Sequence, residues 1–254
     1  MLKSTYILMM ECLVKNGKPR KGATDLLDVL YRERIPFVVL SEQSGRKREN
    51  MTADMQKIGF HTFRNANLYT SSMAAMDFLS VRFREKNRVA AIGGAGLQEA
   101  VKAAQYTVTS SHPDFIFMGM NRNLAYEDYC SIFTMIQDGG IIVSVDGRKT
   151  MSVDGEKVLG NDAFVHMLTY ASSTSAIEFG RGTPLYLDMV LRYLGTEVQN
   201  VVMVGCSFTK DIIPALRKGM TTVYVTDGRS IENEGMNEKV HPDYIVEDLG
   251  GLIR

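Results

Sequence analysis

Tryptophan is missing from this chain, cysteine is nearly so, and neither sign of charge prevails. The only cysteines are Cys12, Cys130 and Cys206. So sparse and odd a set argues against a disulfide framework and fits a reducing cytoplasm. Lys+Arg and Asp+Glu both number 29, for a net charge of zero. That balance excludes nucleic acid or an anionic membrane surface as the main partner. No apolar run approaches the ~18 residues of a spanning helix. Met1-Leu2-Lys3-Ser4 leads straight into an apolar strand pattern without a cleavage signature, so a cytoplasmic chain with no signal peptide is expected. Gly-x-Ser-x-Gly, a Walker loop and Cys-x-x-Cys are absent. Gly93-Gly94-Ala95-Gly96 follows a strand pattern, but it lacks the third glycine and distal acid of a dinucleotide loop, and a tight turn is expected there. His61 and His166 have no nucleophile or acid to work with and read as structural.

The chain is 254 residues long and 45% hydrophobic, enough for one large domain or two moderate ones. Its organising stretch is the run from Tyr6 to Val14, an apolar first strand opening into a loop near Met9-Met10-Glu11-Cys12. A helix pattern over 21–34 follows, with Ala23, Leu26, Leu27 and Leu30 on one side. Pro36 ends it, and Phe37-Val38-Val39-Leu40 reads as a second buried strand. A helix over 46–58 is capped by Gly59. Alternation of this kind predicts a parallel sheet with right-handed crossovers. The pattern restarts at Leu68 and again near Ile177, where Thr183-Pro184 is a good helix start. Two similar tags, His112-Pro113-Asp114 and His241-Pro242-Asp243, each precede a strand and read as loop punctuation.

Taken in order, these landmarks resemble the haloacid dehalogenase superfamily, most of all its NagD-like sugar-phosphatase and p-nitrophenylphosphatase branch. The likeness covers almost the whole chain, down to the closing Pro-Asp-Tyr-Ile-Val segment. It implies an α/β fold: a Rossmann-like core with a parallel sheet, residues 1–67 and 177–254, and a large inserted αβ cap over 68–176. The site is expected in the cleft between them. The family's nucleophilic aspartate falls on Met9, its acid/base aspartate on Glu11, and the glycine after it on Cys12. The phosphate-gripping Ser or Thr matches Ser41, and the Asn after it is Glu42. Arg181 stands at the family's lysine. The magnesium-binding Gly-Asp is Gly205-Cys206, with Asp211 surviving later in that loop. Asp146-Gly147-Arg148 occupies the Asn-Pro-Asp run of the cap loop over the substrate.

These departures carry a chemical expectation. A thioether has no ionisable proton and cannot form an acyl-phosphate, so Met9 closes the covalent route. Magnesium takes hard oxygen donors, and sulfur replaces carboxylate at Met9 and Cys206. The expectation is therefore that magnesium is lost, with no cofactor, and that Met9, Cys206 and Asp211 are vestigial metal positions. Ser41 and Arg181 are left as an anion grip, with Asp146 and Arg148 as candidate ligand contacts. Arg181 either binds an anion or pairs with Glu11 or Asp211. Glu11, Cys12, Cys206 and Asp211 raise a soft-metal reading, but two small semi-buried thiols are expected, because zinc would need more ligands. The functional expectation is a catalytically impaired pseudo-phosphatase that binds a small phosphorylated or anionic ligand. Self-association through the cap is what the resemblance implies. The alternative is an active or weakly active phosphoric monoester hydrolase of the NagD-like type.

Overall fold

A computed structural model describes residues 4–230 and 240–253. The chain divides into two compact units. One takes in Met1–Ser41, Arg48–Tyr69 and Val190–Arg254, and the other Glu42–Lys47 and Thr70–Met189. This division differs from the expected boundaries at 67/68 and 176/177.

The first unit is built on a six-stranded sheet. Its order is Tyr244–Val246, Thr221–Val225, Val201–Gly205, Thr5–Met9, Phe37–Ser41 and Leu68–Thr70. Thr5–Met9 lies in the middle and runs parallel to both neighbours, with Ile7 opposite Met203 on one side and Val38 on the other. Ile7, Leu8, Val38 and Val39 have no exposed surface. Burying each such side chain contributes roughly 1.5–3 kcal/mol, which is why these strands read as unbroken apolar runs. The restart expected at Leu68 is instead the edge strand of this sheet.

Where the first strand ends, a loop was expected; the chain turns instead into a short helix, Met10–Leu13. The strands Val14–Lys15 and Lys18–Pro19 then form a small antiparallel hairpin. Asn16 and Gly17 both take positive φ at its tip, the geometry an Asn-Gly pair favours.

The second unit holds a five-stranded parallel sheet in the order Ile177–Glu178, Ile141–Ser144, Phe115–Met118, Arg88–Ile92 and Thr107–Val108. Ile116, Met118 and Ile142 pack with Ile132, Ile136, Val165 and Leu168 from the helices Tyr126–Gln137 and Asn161–Ser172. Ile177, expected to open a third section, is an edge strand here. An antiparallel hairpin, Thr150–Val153 with Glu156–Leu159, turns at Asp154-Gly155.

The two His-Pro-Asp tags have a shared structural task. Asp114 Oδ2 accepts the backbone N–H of Arg88, and Asp243 Oδ2 accepts that of Thr222. Each aspartate thus fastens the start of its strand to the neighbouring one. The glycines of 93–96 also have a packing reason. The segment 44–46 passes so close that a Cβ on Gly96 would stand 2.1 Å from the Arg46 carbonyl oxygen. Leu97 N–H donates to the Ser44 carbonyl at 2.9 Å in the same place.

Candidate active site

In the first unit, parallel strands bring their carboxyl ends to one edge of the sheet, where open α/β folds bind ligands. Met9 ends the central strand and is 3% exposed. Ser41 ends the next strand and is fully buried, with its Oγ 4.0 Å from Met51 Sδ. Gly205 ends the strand on the other side, and Cys206 follows it. Glu11 and Cys12 lie in the helical turn after Met9, Glu11 half-buried and Cys12 fully buried.

Asp211 sits in the helical turn Phe208–Ile212. Its Oδ2 accepts the backbone N–H groups of Cys206 and Ser207, each at 2.9 Å. Gly205 permits this approach, because a Cβ there would lie 2.3 Å from Asp211 Cβ. As a result the Cys12 sulfur, the Cys206 sulfur and an Asp211 carboxylate oxygen all lie within 4.8 Å of one another, and all three residues are buried. Two guanidinium groups border this cluster through backbone carbonyls: Arg20 Nε donates to Glu11 O at 2.8 Å, and Arg229 Nη2 to Cys206 O at 2.6 Å. Arg20 also pairs with Asp227, which takes a 2.8 Å hydrogen bond from Lys15 Nζ. These bonds, from Lys15 first and then Arg20, hold the Asp227 carboxyl below the usual carboxylate range.

The remaining expected residues belong to the second unit. Glu42, 3% exposed, accepts the backbone N–H groups of Arg181 at 2.9 Å and Gly147 at 3.2 Å on Oε2. Asp146 is fully buried and held by Arg148 in a two-pronged pair, with Nε to Oδ1 at 2.8 Å and Nη2 to Oδ2. Ser44 Oγ donates to the same carboxylate at 3.4 Å. Asn161 Nδ2 reaches the carbonyls of Met118 at 3.1 Å and Asp146 at 3.0 Å, fixing the loop from below. A cavity of about 670 Å³ opens beside Arg148, and Arg46 and Arg122 also line it, with Gln43, Asn121 and Asn123. Its described lining carries three guanidiniums and no carboxylate.

Sequence reasoning named Met9, Glu11, Ser41, Cys206 and Asp211, which lie in the first unit, and Asp146, Arg148 and Arg181, which lie in the second. It passed over Arg20, Arg229 and Asn161. No motif marks them, since each acts on a backbone carbonyl supplied by another part of the chain.

Two family profiles match, described as haloacid dehalogenase-like hydrolase over residues 10–107 and HAD-hydrolase-like over 178–252. The acid sugar phosphatase of Staphylococcus aureus (strain USA300) is 24% identical over 233 residues, covering 91% of this chain and 89% of that protein. Among solved structures, NagD from E. coli K-12 aligns with a TM-score of 0.89 and 19% identity, covering 98% of both chains. The p-nitrophenyl phosphatase from Archaeoglobus fulgidus aligns with a TM-score of 0.88 and 17% identity, covering 99% of this chain and 98% of that one. The chain belongs to the haloacid dehalogenase superfamily. Within it, the fold is that of the NagD-like phosphatases. No helix among the described residues is long and apolar enough to cross a membrane.

This membership corrects one expectation. Absence of a cofactor does not stand, because the relatives are phosphatases of a superfamily that works with magnesium, and a metal is implied here too. The local donors nonetheless fit magnesium poorly. Magnesium takes near-octahedral oxygen, and two of the three clustered donors are sulfur.

Proposed function

We propose that this chain is a phosphoric monoester hydrolase of the NagD-like type that works without an aspartyl-phosphate. The observation that carries the reading is Glu11, a carboxylate kept in the helical turn after the central strand while Met9 holds the nucleophile position. Hydrolysis then proceeds by direct attack of water. Glu11 takes the water proton as the new P–O bond forms, and returns it to the leaving oxygen as the ester P–O bond breaks. Ser41, at the end of the strand beside that of Met9, is assigned to the phosphoryl group. In the second unit taken by itself, Arg46 and Arg122 line a cavity suited to an anion, since guanidinium forks match phosphate and carboxylate oxygens.

Met9 favours a second reading, a pseudo-phosphatase that binds such a ligand and leaves it intact. Release of phosphate from p-nitrophenyl phosphate and sugar phosphates separates the two. Under the first reading turnover tracks the protein, Glu11→Gln removes it, and acid quench of a single turnover traps no phosphoenzyme. Heat of binding without phosphate release would select the second. Cytoplasmic action is supported by three cysteines that form no disulfide. Self-association through the second unit is supported by its exposed Tyr126, Met167 and Tyr170.

A further inference from the structure

We infer that Cys12, Cys206 and Asp211 form a site for a thiophilic divalent cation, zinc in the first instance, where the superfamily holds magnesium. Position and chemistry both point there. The three donor atoms lie within 4.8 Å of one another, and their residues are buried, with exposures of 0%, 8% and 2% respectively. Zinc is bound by thiolate, imidazole and carboxylate in tetrahedral array, and catalytic zinc keeps three protein ligands with the fourth position open. Two sulfurs and one carboxylate oxygen are such a set, and they rank zinc far above magnesium.

The surroundings are prepared for it. Asp211 is oriented by two backbone N–H groups on Oδ2, as outer-shell hydrogen bonds orient metal-binding carboxylates. Binding by two thiols and a carboxylate brings three negative charges against the cation's two, and releases the thiol protons to solvent. Arg229 donates to the Cys206 carbonyl and brings positive charge beside that residue, while Arg20 donates to the carbonyl of Glu11, the residue before Cys12, and pairs with Asp227.

The inference rests on reading this strand-end cluster as the family's cation position, and not on turnover. The test strips the reduced full-length protein with EDTA and then supplies zinc alone or zinc with excess magnesium. Bound metal is measured after gel filtration. About one zinc per chain is expected to remain in both cases. Cobalt in place of zinc is expected to give the near-ultraviolet absorption of a thiolate complex. In the unaltered protein, zinc slows alkylation of Cys12 and Cys206 by at least about tenfold while exposed Cys130 reacts as before. The Cys12→Ser, Cys206→Ser double variant loses the retained zinc and the cobalt absorption. Failure of the unaltered chain to retain zinc overturns the inference, as does equal retention by a folded double variant. Should that variant not fold, unchanged alkylation of Cys12 and Cys206 with zinc overturns it just as well. Zinc bound without phosphate release would refute only the proposed hydrolysis, and hydrolysis without zinc retention only the site.

Discussion

Glu42 Oε2 and the backbone N–H of Arg181 meet at 2.9 Å across 139 residues of sequence. The same oxygen takes Gly147 N–H at 3.2 Å, so one buried carboxylate ties two loops of the second unit together. Gly147 and Gly180 are themselves packed so closely that a Cβ on Gly180 would stand 2.6 Å from Gly147 Cα. Neither loop has room for a larger residue to replace the tie.

Removing this carboxylate leaves the N–H groups of two half-buried residues without their acceptor. A hydrogen bond to a charged group is worth about 1.5–3 kcal/mol. Glu42→Ala is expected to cost about 3 kcal/mol in denaturant unfolding, and Glu42→Gln, which keeps one acceptor oxygen, about 1 kcal/mol. Amide exchange at Gly147 and Arg181 accelerates in the alanine variant before global unfolding. Unchanged exchange at both would show that the carboxylate is not what holds the loops.

Restoring oxygen at the strand ends provides a test of ancestry. Met9→Asp with Cys206→Asp returns two carboxylates to the cation position, and the one at position 9 also stands at the nucleophile position. The double variant is expected to be less stable by several kcal/mol without metal, because buried carboxylates lose their solvation. Magnesium should then raise its melting temperature while leaving that of the unaltered protein unmoved. Acid quench with labelled substrate should trap a phosphoenzyme in the variant alone. A double variant that folds, ignores magnesium and traps nothing would mean that more than these two side chains has been lost from the site.

Much of this was legible from pattern alone, for reasons visible in the residues. Ile7-Leu8 and Val38-Val39 announce central strands because both faces of a parallel sheet are covered, and the order of landmarks announced the superfamily. The hairpins at Asn16-Gly17 and Asp154-Gly155 carried a clear local signal that was not read as pairing. The strands Leu68–Thr70 and Ile177–Glu178 were misplaced because two or three residues show no period, and only their sheet partners define them. At the site, Met9 and Cys206 are visible as substitutions. The closeness of Cys12 to Cys206 and Asp211 is not, because it depends on a four-residue helix and on a glycine that lets Asp211 press against the strand.

Gly96 is expected to be intolerant of even one methyl group. A Cβ would stand 2.1 Å from the carbonyl oxygen of Arg46 and 2.9 Å from that of Ser44. Both obstacles are backbone, so relief requires the 44–46 segment to move. Gly96→Ala should therefore cost about 1–3 kcal/mol, the usual range for overpacking, despite alanine's better helix propensity. Gly139→Ala, with nothing within 4 Å of its Cβ, has no such clash, and its cost comes only from positive φ. Thermal unfolding of the two variants side by side checks this. A Gly96→Ala protein as stable as the parent would show that segment 44–46 is not fixed where Leu97 N–H meets the Ser44 carbonyl.

Asp227 gives the hairpin after the first strand a dependence on pH whose sign can be worked out. Hydrogen bonds from Lys15 and Arg20 favour the charged carboxylate, so its folded pKa lies below its unfolded one. The stabilisation is then fully present above the unfolded value, near 3.9, and disappears as pH falls through the lower folded value. The side chain is 29% exposed and its Lys15 partner 59%, so solvent screening keeps the effect under about 1 kcal/mol. Asp227→Asn should be less stable than the parent by a constant margin between about pH 5 and 8, and the margin should close below about pH 4. Raising the salt concentration should narrow it at neutral pH. A margin that persists undiminished into acid would assign the loss to the shape of the side chain, with charge playing no part.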